Sequence, residues 1–96
     1  MGPTINMAAS LGAYTLSDRG TWLSFKNRQE LEILFAGDPV MFNPYGVMLV
    51  NPAKHPAAKQ AAGMRFIDWI TGPAGQAAIA GYKINGEQLF FPSATK

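Results

Sequence analysis

The sequence predicts an α/β fold, a short sheet flanked by helices that ends in a helix pair and a hairpin. Three observations predict it. Short continuous apolar runs, Leu11–Leu16, Leu31–Phe35 and Val47–Val50, have the composition of buried strands. A longer stretch, from Pro56 to Ile70, carries apolar residues at helical spacing. Proline and glycine punctuate the chain where such elements would start and stop.

Taken in order, Leu11–Leu16 (LGAYTL) reads as the first strand. Ser17 follows as a helix N-cap, and Asp18 adds negative charge to a first turn. The helix from Asp18 to about Lys26 is expected to be short, because Gly20, Thr21 and Trp22 are poor helix formers. Leu31–Phe35 is the second strand, closed by the turn Gly37-Asp38-Pro39, and Asn43-Pro44-Tyr45-Gly46 marks a further turn. Val47–Val50 is the third strand. Pro56 suits the first helical position, and Ala58, Ala62, Phe66, Trp69 and Ile70 form one apolar stripe. Gly72 stops that helix, Pro73 opens another to Ala80, and Gly81 closes it. Asn85-Gly86, between Ile84 and Leu89-Phe90-Phe91, is a hairpin turn signal.

Composition sets bounds on function. The chain has 96 residues, 48% of them hydrophobic and 15% charged, which excludes a disordered polypeptide. Its basic residues are scattered and the net charge is +2, so there is no nucleic-acid footprint. Without cysteine it has neither disulfides nor thiolate metal sites. No apolar stretch is long enough to span a membrane. Met1-Gly2-Pro3-Thr4 has no basic or apolar leader character, so no signal peptide is read in this chain.

Catalytic patterns are missing. His55 stands alone in Lys54-His55-Pro56, which is no metal site, and the serines lie in no nucleophile elbow. The six carboxylates form no recognisable acid–base pair, and no phosphate loop occurs. The reading is therefore not an enzyme, with no metal and no cofactor. Gly72-Pro73-Ala74-Gly75-Gln76 reads as a stop and restart between helices.

The richest segment is Tyr14 to Trp22. A strand end leading into a helix start leaves backbone N–H groups pointing outward. Arg19 supplies a permanent charge with several donors, Ser17 and Thr21 supply hydroxyls, and Gly20 admits close backbone approach. Such donors suit a fully ionised oxyanion, which can only accept. Asp18 would repel an anion unless it turns away or orients Arg19. The same residues also fit a plain capped helix.

The stretches AYTLSDRGTW, GDPVMFNPYGVMLVNPAKHP and FIDWITGPAGQAAIAGYKINGEQLFFPSA resemble the C-terminal part of the tungstate-binding proteins of ABC importers, over about Ile5 to Ala94. The resemblance implies part of a periplasmic-binding-protein-like (type II) fold, in which two lobes close on an anion. Residues of about 5–42 would belong to the second lobe, and about 43–94 would cross the hinge and return to the first. Further parts of the anion site, a Thr/Ser-rich loop and an Arg-containing loop, would come from sequence before this segment.

Site residues carried over on the matching Tyr-Thr-Leu-x-Asp-Arg-Gly-Thr pattern are Thr15, Ser17, Asp18, Arg19, Gly20 and Thr21, with Arg19 foremost. Tyr45 is added beside the presumed hinge. The resemblance implies a tungstate or molybdate ligand, a permease partner in the cytoplasmic membrane, and a periplasmic or cell-surface location for the full-length protein. The alternative is a stand-alone structural or interaction domain without ligand. Apolar surface left exposed on a piece of this fold would favour a homodimer.

Overall fold

The computed structural model describes residues 1–94 of the chain. They form two compact units. One comprises Met1–Pro44 with Lys83–Phe90; the other comprises Tyr45–Tyr82 with the tail from Phe91. The hairpin thus groups with the first 44 residues.

The first unit opens with a helix absent from the sequence reading, α1 (Gly2–Leu11). Pro3 stands in its first turn and Gly12, at φ 63°, closes it in the left-handed conformation. This consumes the start of the first expected strand: Leu11 ends the helix, and residues 13–18 are irregular. Helix α2 (Arg19–Ser24) follows. Its C-terminus is held by Arg28, whose Nε donates to the Phe25 carbonyl at 2.9 Å and Nη2 to the Leu23 carbonyl at 3.2 Å. The same guanidinium lies 4.6 Å from the Trp22 ring centroid, a cation–π arrangement. Between the helices, Asn27 Nδ2 donates to Asn6 Oδ1 at 2.7 Å.

The hairpin β1 (Lys83–Ile84) and β2 (Glu87–Gln88) completes this unit, antiparallel with Lys83 opposite Gln88 and Ile84 opposite Glu87. Asn85 and Gly86 have φ of 53° and 79°, the double left-handed turn that the Asn-Gly signal requires. The core is small. Ile5 and Ala8 from α1, Leu23 from α2 and Leu89 after β2 are the buried apolar residues.

In the second unit, Asn51 starts a series of turns. Its side chain accepts from the Ala53 N–H and its carbonyl from His55. Helix α3 (Gln60–Thr71) therefore begins four residues after Pro56, not at it. The expected stripe also differs. Phe66 and Trp69 are 54% and 48% exposed and contact each other with ring centroids 6.4 Å apart. Gly63, Ile67 and Ile70 are the more covered positions, and Leu49 packs directly over Gly63. Helix α4 (Pro73–Gly81) starts where the sequence places it, with Gly72 as N-cap.

The runs Leu31–Phe35 and Val47–Val50 are irregular and are not strands. A strand exists only through a hydrogen-bonded neighbour, and among the described residues neither run has one. Ile33, Leu34 and Phe35 are 56–69% exposed, a degree that strand composition does not suit. No helix among the described residues is long and apolar enough to cross a membrane.

Candidate functional site

The segment from Thr15 to Thr21 is arranged by one capping interaction. The N-cap is Asp18, not Ser17 as the sequence suggested. Asp18 Oδ2 accepts from the Thr21 N–H at 3.0 Å and from the Thr21 hydroxyl at 2.9 Å. A carboxylate one residue further along reaches the third helical amide and takes the cap. Burial pushes the Asp18 carboxyl up, but the two bonds from Thr21, with its own backbone N–H and the N-terminal charge, together hold the group below the ordinary carboxylate value.

The cap settles how three of the carried-over residues are used in this arrangement. Asp18 is turned inward onto Thr21. Both Thr21 donors go to Asp18. Ser17 Oγ donates to the Asp18 carbonyl at 3.0 Å, which fixes the approach to the helix. Thr15, two residues before Ser17, is exposed, and its hydroxyl makes a 3.4 Å contact with the neighbouring Leu16 carbonyl.

Arg19 is the first residue of α2 and is exposed. Its Nε donates to the Gln88 carbonyl at 2.8 Å across 69 residues of sequence. Gly20 is buried, with the Phe90 ring against its α-carbon. The hairpin therefore touches the same turn that carries the positive charge, which the sequence reading missed. The signal was present only as the Asn-Gly turn that folds residues 83–90 back; nothing local in Gln88 or Phe90 marks them. Tyr45, 70% exposed, belongs to the second unit.

Chemically, the turn combines a delocalised cation, tied through its Nε to the Gln88 carbonyl, with a helix start. Its carboxylate is already engaged by hydrogen bonds of its own. A permanent positive charge with hydrogen-bond donors is chemistry that can hold a small anion. Among the described residues no group of three or more His, Cys, Asp or Glu side chains is placed to hold a metal ion.

Comparison with known proteins agrees with this chemistry. Residues 1–74 match the sequence profile of the PBP superfamily domain. The chain belongs to the PBP superfamily. Among its relatives in that superfamily, a putative ABC transporter anion-binding protein of Haloferax volcanii is 46% identical over 98% of this chain and 29% of its own length. The tungstate-binding protein TupA of Peptoclostridium acidaminophilum is 39% identical over 100% of this chain and 34% of its own length. The solved structure of the tungstate-binding protein TupA from Desulfovibrio alaskensis G20 superposes with a TM-score of 0.72 at 38% identity, covering 99% of this chain and 40% of that one. The resemblance to tungstate-binding proteins read from the sequence is thus borne out, as is a partial fold of the periplasmic-binding-protein type. The chain spans about a third of the length of the curated PBP-superfamily relatives it matches.

Proposed function

We propose that this chain is one part of the solute-binding component of an ABC importer for tungstate or a closely related oxyanion such as molybdate, and that it has no enzymatic role. The observation that carries the reading is the Arg19 turn: a guanidinium pinned by its Nε to a backbone carbonyl at the start of a helix whose cap is already satisfied. It lies within a chain whose relatives are named for tungstate and anion binding.

In the whole protein, two lobes would close over the dianion. Contacts that form only in the closed state shift the open–closed equilibrium and mark the loaded receptor for a membrane permease. Arg19 is the leading ligand contact. Gly20, buried under the Phe90 ring, supports the turn. Asp18, Thr21 and Ser17 hold the turn, and Thr15 and Tyr45 are secondary candidates. A periplasmic or cell-surface location goes with this role.

The test uses the full protein that contains this chain, titrated calorimetrically with tungstate, molybdate, sulfate and phosphate. Arg19→Ala is expected to weaken tungstate binding at least about tenfold, the loss that goes with a charge-assisted contact of roughly 1.5 kcal/mol or more. Unchanged affinity removes Arg19 from the site. The 96-residue chain alone, which holds a fraction of the relatives' length, should bind tungstate weakly or not at all; micromolar binding by it would contradict the two-lobe reading.

A further inference from the structure

We propose that Gln88 and Phe90, at the end of the C-terminal hairpin, are positioning residues for oxyanion capture, holding the Arg19 turn in its binding geometry before ligand arrives. The inference rests on the reading of Arg19 as a ligand contact. Three observations, all within the first unit, carry it.

The Gln88 carbonyl accepts a hydrogen bond from the Arg19 Nε–H at 2.8 Å. A long, rotamer-rich side chain is thereby anchored at the root of its guanidinium, so less freedom is lost when the plane meets an anion. The Gln88 side chain then donates from Nε2 to the Phe90 carbonyl at 2.8 Å. This bends the chain around Leu89, which is 4% exposed and serves as the hairpin's anchor in the core.

Finally, the Phe90 ring is seated on Gly20. A Cβ added at Gly20 would lie 2.9 Å from Phe90 Cζ and 3.3 Å from Cε1, closer than carbon atoms approach without displacement. Gly20 is the residue directly after Arg19, so the ring fixes the backbone that carries the guanidinium. The turn is therefore held by the Asp18 cap, the Gln88 carbonyl and the Phe90 ring. A glycine at position 20 is explained by the ring alone, since the structure records no left-handed φ there.

The test is a double-mutant cycle in the full protein, with tungstate affinity by calorimetry and thermal midpoint measured for each variant. Phe90→Ala should weaken tungstate binding roughly three- to tenfold, and that effect should vanish in the Arg19→Ala background, because the ring acts through the arginine. Gly20→Ala should weaken binding similarly. Adding Phe90→Leu, which removes the ring atoms that Cβ would strike, should restore part of the affinity. Should Phe90→Ala fail to fold, Phe90→Leu enters the same cycle with the same expected coupling.

A fall in thermal midpoint with unchanged affinity, or equal losses of affinity with and without Arg19, would reduce Phe90 to a packing residue and overturn the proposal. If Arg19→Ala weakens binding while the Phe90 and Gly20 variants do not, the positioning role alone is wrong. If Arg19→Ala itself leaves affinity intact, the reading of Arg19 fails and the positioning role falls with it.

Discussion

Replacing Gly75 by alanine should destabilise the junction of α3 and α4, although the same change usually helps a helix. In an exposed helix interior, alanine is favoured over glycine by about 1 kcal/mol. At Gly75 a Cβ would sit 2.1 Å from the Trp69 carbonyl oxygen, 2.6 Å from Ile70 Cα and 2.8 Å from the Trp69 carbonyl carbon. All three are backbone atoms, so no side chain can swing aside. Relief requires α4 to move off α3 by at least about 1 Å. Gln76 ties the same corner: its Nε2 donates to the Ile70 carbonyl at 2.7 Å and its Oε1 accepts from the Ala94 N–H at 3.1 Å. A shift of that size strains or breaks the first of these bonds. Overpacking of this kind costs about 1–3 kcal/mol, and a lost hydrogen bond adds about 1 kcal/mol. After subtracting the propensity gain, Gly75→Ala should lose about 1–3 kcal/mol. Gly81→Ala is the matched control: it lies at the end of the same helix, with nothing within 4 Å of its added Cβ, and should be neutral or slightly stabilising. Urea denaturation of the protein with each substitution measures both. Equal stability of the two variants would refute the close-approach account of the Gly-Pro-Ala-Gly-Gln segment.

Asp18→Ala removes the α2 cap and should cost about 1 kcal/mol near neutral pH. Because the folded-state pKa of Asp18 lies below its ordinary value, the cap contributes stability above about pH 4 and loses it as pH falls through the depressed folded value. The stability gap between the wild type and Asp18→Ala should therefore narrow in acid; a gap constant from pH 7 to pH 2 would count against the cap. Gly86→Ala places a side chain at φ 79° in open space, so its cost is conformational, about 1–2 kcal/mol. Gly86→Asn should cost less, because asparagine visits the left-handed region more readily. Equal thermal midpoints for the two Gly86 variants would show that the turn does not hold this conformation in solution.

What could be read from the sequence, and what could not, divides by the range of the interaction involved. Gly72-Pro73, Asn85-Gly86 and Gly37-Asp38-Pro39 act within a few residues, and each turn or helix boundary lies where its residues place it. The family resemblance also rested on contiguous residues. Helix α1 is masked in the sequence because Gly12 sits inside an apolar run, although Pro3 at its start and Gly12 at its end are the ordinary punctuation of a ten-residue helix. The one-residue error at the α2 cap has a similar cause: Ser17 and Asp18 are both good caps, and the choice depends on which oxygen reaches the Thr21 amide.

The three expected strands are a different matter. Leu31–Phe35 and Val47–Val50 have strand composition, but composition expresses suitability for a pleated, covered surface and does not supply the neighbour. Leu49 shows what such a residue does without a ladder: it lays its side chain over Gly63 of α3. The Arg19–Gln88 contact was out of reach for the same reason. Its donor and acceptor stand 69 residues apart, and the acceptor is a main-chain carbonyl that every residue possesses. The charged half of the candidate site is written in the sequence, whereas the half that positions it is a property of the hairpin's path.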